Sequence, residues 1–250
     1  MNLSRKDVLS LIKEKYPEEI NYDSVMEYIN LKTYECPEHL KMYTKHDAYT
    51  NLFYLYSATV CYFYYSRAAI GVLFKNKEKL GKIDRILDLG AGNGLTSMKL
   101  SDVFNCKVYY NQLDGIQKEF AREMFIKYNS NCTVLPEDRS FERTNGKIDL
   151  VFASDFFEHL ERPINYLENV IRNVNPKYIV TCNAFTAPHP DHIHPFYFHK
   201  QYGGTIESIE PKKISRRFNA KLRYSGYEIY FKGWSGRPTV WKKFNEQTYN

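Results

Sequence analysis

Between residues 88 and 94 the chain reads Asp88-Leu89-Gly90-Ala91-Gly92-Asn93-Gly94, a carboxylate followed by three glycines at alternate positions. Glycines let a main chain turn sharply and let a ligand approach it closely, and the acidic neighbour adds an acceptor for a polar group of that ligand. A second set lies at Ser154-Asp155-Phe156-Phe157-Glu158-His159. Asp155, Glu158 and His159 stand at i, i+3 and i+4, which on a helical turn share one face. Five of the seven histidines fall between 159 and 199, four of them in His189-Pro190-Asp191-His192-Ile193-His194-Pro195-Phe196-Tyr197-Phe198-His199. Two chemistries suit these residues. Histidine as a residue type suits proton transfer near neutral pH, so His159 and His192 fit a general base or an orienting group, with Glu158 beside them. The same Asp155, Glu158 and His159, completed by His192 or His194, make an N/O donor set for a divalent metal, a reading placed second because loop histidines often simply hydrogen-bond substrate.

Such side chains need a frame, and the flanking pattern supplies one. Residues 83–89 form a short apolar run that ends in the glycine turn, and residues 95–104 continue as a helix. The alternation goes on with a strand over 107–113, a helix over 116–127, strands over 132–135 and 148–154, a helix over 163–173 and a strand over 177–183. Parallel strands require crossover connections, so this order predicts a doubly wound α/β sheet, largely parallel and covered by helices on both faces. Residues 227–232 and 239–244 read as two strands joined across 233–238, an antiparallel finish. Upstream, residues 1–45 read as short helices and loops and 47–78 as a longer helix with aromatics on most faces. The expected division is a helical cap over 1–78 and a ligand-binding domain over 79–250.

Composition limits the classes. With 250 residues, 26% charged and 43% hydrophobic, the chain has enough apolar material for a substantial core and is neither disordered nor fibrous. Its 22 Tyr suit a pocket that holds a polar or ring-shaped ligand. The net charge of +6 permits anionic partners, but Lys and Arg read as spread along the chain without a long basic run, so nucleic acid is not favoured. Five cysteines at unpatterned spacings suggest neither a zinc ribbon nor a disulfide scaffold, and a reducing cytoplasm is the expectation. The first residues show no apolar signal core. Residues 48–66 carry no formal charge, yet six Tyr and several hydroxyl and amide residues favour a buried cap helix over a membrane span.

The spacing Asp88-x-Gly90-x-Gly92-x-Gly94 between a strand and a helix resembles the first motif of class I S-adenosylmethionine (SAM)-dependent methyltransferases. A dinucleotide loop of the Gly-x-Gly-x-x-Gly kind would need glycine at 95, where Leu95 stands. The resemblance covers about residues 80–185 and continues less specifically to 244. It implies a Rossmann-like seven-stranded sheet and SAM as cofactor. Asp88 would receive the cofactor's ammonium group, and Gly90, Ala91, Gly92 and Gly94 would lie against the cofactor. A side chain at the end of the second strand would grip the ribose hydroxyls. Counting back from Ala121-Arg122 puts Gln112 there, while Asp114, two residues later, offers the carboxylate that a bidentate pair needs; Asp114 is slightly preferred. Asp138, after the third strand, would bind the adenine amino group, and Asp155 would face the cofactor at the end of the fourth.

Glu158-His159-Leu160 is similar to the Glu-His-Leu/Val stretch of ubiquinone-biosynthesis-type small-molecule methyltransferases. This implies methyl transfer to oxygen, nitrogen or carbon of a small polar or aromatic metabolite. The Asp/Asn-Pro-Pro-Tyr motif of amino-methylating DNA enzymes is absent. Asp155, Glu158 and His159 are also similar to the metal-binding Glu-x-x-Glu-His motif of small-RNA 3′-terminal 2′-O-methyltransferases, with Asp for the first Glu. Two alternatives therefore stand beside the leading one: an RNA ribose methyltransferase, metal-assisted, and a SAM-fold protein that binds without turnover.

Overall fold

A computed structural model describes residues 3–16, 52–136, 141, 144, 147–185, 211–233 and 237–244. Seven strands form one sheet: β1 Arg85–Leu89, β2 Lys107–Asn111, β3 Cys132–Val134, β4 Leu150–Ser154, β5 Tyr178–Cys182, β6 Tyr227–Lys232 and β7 Thr239–Lys243. Their order is β3-β2-β1-β4-β5-β7-β6. The first five run parallel, and β7 pairs antiparallel with both β5 and β6. The doubly wound α/β expectation holds, with strand ends within two residues of the sequence reading.

Helix α1 spans Arg5–Lys15, and its capping box, Ser4 with Asp7, satisfies main-chain donors that a helix start leaves open. A helical run follows as α2 Leu52–Cys61, a π turn Tyr62–Ser66, α3 Arg67–Lys75 and the short α4 Lys77–Leu80. The crossovers are α5 Leu95–Phe104, α6 Ile116–Lys127, α7 Pro163–Val174 and α8 Pro211–Tyr224. The last was not foreseen, although Ile214, Phe218 and Leu222 recur every four residues and all are buried. Among the described residues no helix is long and apolar enough to cross a membrane.

A strand points successive side chains to opposite faces, and this alternation sorts the interior into two cores. Ile86, Val108, Tyr110, Leu150, Phe152, Tyr178 and Val240 face the first, which α1, α2, α3, α5 and α6 cover through Val8, Ile12, Leu55, Ile70, Met98 and Phe120. Leu87, Leu89, Val151, Ala153, Ile179 and Trp241 face the second, closed by Tyr166 and Leu167 of α7 and by Phe218 of α8. The N-terminal helices thus share a core with the sheet. All five parallel strands end on one edge, and Asp88, the glycine loop, Gln112, Asp114, Asp155, Glu158 and His159 lie there.

Candidate active site

β1 delivers Asp88 to that edge, 1% exposed. Its Oδ2 accepts a 2.6 Å hydrogen bond from Ser97 Oγ on α5. Burial raises this carboxyl to about 7 against the smaller lowering by Ser97. Among the described residues no cation pairs with it. A buried carboxylate without a counter-ion is an acceptor suited to an incoming ammonium.

The glycines follow at φ +63 for Gly90, +52 for Gly92 and +83 for Gly94. At Gly90 a Cβ would come within 2.3 Å of the Phe156 ring, and at Gly94 within 2.8 Å of Ala121 Cβ on α6. Both positions therefore need glycine for dihedral and for space. The loop is held from β2: Tyr110 Oη donates to Gly92 O at 2.5 Å, Ala91 N to Asn111 O at 3.2 Å and Gly92 N to Gln112 Oε1 at 3.2 Å. It is held from above by the cap, where Asn93 Nδ2 donates to Thr59 Oγ1 at 2.7 Å and Ala58 of α2 lies against Gly92.

The two ribose candidates separate. Gln112, 7% exposed, accepts from the loop and donates to Gln117 Oε1 at 2.8 Å. The Asp114 side chain is 68% exposed and pairs at 2.8 Å with Lys118, whose ammonium also donates to Pro136 O at 3.0 Å. Lys118 is 1% exposed, and a buried ammonium needs a nearby anion. Asp114 supplies that anion, and the i, i+4 spacing of Asp114 and Lys118 was a readable signal for the pair. Asp138, His192 and His194 lie outside the described residues.

On the β4 side the expected helical face does not form. Asp155 has φ +55, and a three-residue 3₁₀ turn, Phe157–His159, follows it. Glu158 turns inward, fully buried, its Oε2 accepting from Phe156 N at 3.0 Å and its Oε1 from Ala184 N beyond β5. The shared face of Asp155, Glu158 and His159 is thereby corrected: a left-handed residue before a tighter turn sends Glu158 inward, away from the other two. Asp155 and His159 remain neighbours, with His159 Nε2 3.9 Å from Asp155 Oδ1 and both partly exposed. Among the described residues no three His, Cys, Asp or Glu side chains gather to hold a metal.

Ser66, Ser154 and Cys182, which carried no assigned role in the sequence, complete this edge together with Tyr65, one of the tyrosines expected to cover the acceptor. Ser66 Oγ of the cap donates to Ser154 Oγ at 3.2 Å. Cys182, at the end of β5, is held as a thiol, pushed up to about 12 by burial despite its bond with Ser154. Tyr65 is raised by burial first, with Asp155 adding to the shift and Arg237 opposing it. Nothing in their one-dimensional spacing relates these four positions.

The comparisons agree with this geometry. Residues 60–227 match the family described as a methyltransferase domain. The glycine/sarcosine/dimethylglycine N-methyltransferase of Actinopolyspora halophila is 31% identical over 116 residues, 43% of this chain. The matched region spans 20% of that relative's own length. The solved structure of an O-methyltransferase family protein from Burkholderia thailandensis superposes with a TM-score of 0.58 at 10% identity, covering 97% of this chain and 72% of that one. SAH-bound PaMTH1, a methyltransferase of Podospora anserina, gives 0.51 at 16% identity, covering 98% and 97%. At these identities the two structures speak for the fold alone.

Proposed function

We propose, because this chain belongs to the class I SAM-dependent methyltransferase family, that it moves a methyl group from SAM to oxygen, nitrogen or carbon of a small polar or aromatic metabolite. Bound SAM supplies an electrophilic methyl on a sulfonium. The chain's own part falls to two neighbouring groups of residues. On one side Gly90, Ala91, Gly92 and Gly94 leave room for the cofactor, Asp88 takes its ammonium, Gln112 reaches its hydroxyls, and Asp114 and Asp138 are the further carboxylates on offer.

On the other side His159 takes up the acceptor's proton at Nδ1, the nitrogen not facing Asp155. Asp155 stabilises the imidazolium that results. Glu158 is a positioning residue: by binding Phe156 N and Ala184 N it ties the 3₁₀ turn to β5 and sets where His159 stands. The cap, bonded to both sides through Thr59 and Ser66, keeps water from the reacting atoms. The observation that carries this reading is the His159–Asp155 pair at the end of β4, beside the glycine loop. A small acceptor is favoured by the Actinopolyspora relative, whose name gives glycine, sarcosine and dimethylglycine as its substrates. His192 and His194 stand as a further base or as metal ligands beside His159, to be tested by elemental analysis of the purified chain.

The test is a panel of amines, amino acids, phenols and carboxylates incubated with methyl-labelled SAM and the full chain. Label should move into at least one of them. If SAH binds and none accepts label, while a nucleic acid does, the small-molecule reading fails and the RNA alternative replaces it.

A further inference from the structure

Helix α8 carries Lys212, Lys213, Arg216, Arg217, Lys221 and Arg223 and no acidic residue. Those six equal the chain's entire formal net charge of +6. At about 100° per residue Lys212, Lys213, Arg216, Arg217 and Arg223 fall on the face away from Ile214, Phe218 and Leu222, which the second core buries, while Lys221 lies on the flank beside Ile214. Lys212, Lys213, Arg216, Arg217 and Arg223 are exposed. Lys221 pairs with Glu168 of α7 at 3.2 Å.

This charge does not serve the helix. Lys212 and Lys213 stand in its first turn, where the dipole disfavours cations and where the helix itself carries no acidic residue. Lys212 with Arg216, Lys213 with Arg217, and Arg217 with Lys221 are like charges at i, i+4, each unfavourable. A set of residues that opposes its own local structure marks a face kept for something else.

We propose that this face binds single-stranded nucleic acid. Five exposed cations on this face complement a phosphate backbone. Three of them are arginines, whose planar forks match phosphate oxygens and stack on bases. At the end of the same face stands Tyr224, 91% exposed, a ring on which a base stacks. A lipid surface fits less well, because the apolar side of α8 is spent on the core and nothing remains to enter the acyl region. The placement adds direction. β5 and β6 both run antiparallel to β7, so α8, which connects them, starts from the strand-end edge that holds the glycine loop and His159. A strand lying along Arg223, Arg216 and Lys212 runs toward that edge.

This surface goes beyond the methyl-transfer reading and stands or falls separately from it. The test is fluorescence anisotropy of the full chain with labelled mixed-sequence 12-nucleotide single strands of RNA and DNA. Four neutralised phosphates at a slope of about 0.7 each imply affinity falling about 50-fold between 50 and 200 mM salt. Arg216→Ala/Arg217→Ala/Arg223→Ala spares the apolar face. It should weaken binding at least tenfold with unchanged circular dichroism and SAH affinity, and Tyr224→Ala should weaken it about tenfold. Three results overturn the proposal: binding that salt does not weaken, equal affinity in the triple variant, or equally tight binding to phosphatidylserine vesicles. No detectable binding to either strand does the same.

Discussion

The ends of β1 and β2 and the ends of β4 and β5 share one edge of the sheet, but they are built from different materials. The first is a main-chain construction: three left-handed glycines, held by Tyr110, Asn111 and Gln112, with one buried carboxylate behind them. The second is a side-chain construction: Ser154 and Cys182 meet as the paired ends of β4 and β5, and His159 is set beside Asp155 by a 3₁₀ turn that Glu158 clamps. A main-chain site tolerates no added atom but carries little of the reaction's chemistry. A side-chain site tolerates changes of shape and fails when a proton acceptor is lost.

Four substitutions sharpen or break that contrast. The largest effect is expected from His159→Ala, which should lower kcat by about 10²- to 10⁴-fold while SAH affinity stays within a factor of about two. Equal losses in both would place His159 on the cofactor side and dissolve the distinction. Gly90→Ala should do the reverse. A φ of +63 costs a residue with a Cβ about 1–2 kcal/mol, and the collision with Phe156 adds about 1–3 kcal/mol. SAH affinity should fall about 100-fold if that strain is relieved by shifting the loop. Gly226→Ala, also at positive φ but facing open space, should cost the dihedral term alone, read as a smaller fall in Tm. Next comes Glu158→Gln, which leaves one of two main-chain donors poorly paired and should destabilise the chain by about 1–3 kcal/mol in urea unfolding. A stability change near zero would show that the clamp is not what holds the turn.

The same contrast explains what could be read in advance. Glycine spacing survives projection onto one dimension because neighbouring residues build the loop, so Asp88 through Gly94 stood out. The helices Leu95–Phe104 and Ile116–Lys127 and the strand Tyr227–Lys232 were legible to the residue through their periodicity. The β4 side was not, because its arrangement turns on one dihedral: with Asp155 at φ +55, the i, i+3, i+4 pattern ceases to describe a face. Asp114 was preferred over Gln112 because a carboxylate accepts a bidentate pair; its i, i+4 spacing to Lys118 was readable, but the burial of Lys118 shows only once α6 packs. Helix α8 went unread because its cations were weighed as scattered charge, while the four-residue spacing of Ile214, Phe218 and Leu222 was available.

The central claim is that SAM occupies the loop between β1 and α5 with its ammonium on Asp88. Calorimetric titration of the full chain with SAH, at pH 6 and pH 8, tests it directly. Burial holds the Asp88 carboxyl near 7, so it is mostly neutral at the lower pH and ionised at the higher, and only the ionised form attracts an ammonium. The account predicts one site, affinity about tenfold tighter at pH 8, and a heat that changes with the buffer's ionisation enthalpy because binding releases the Asp88 proton. Folded protein that gives no heat of binding at either pH would contradict it.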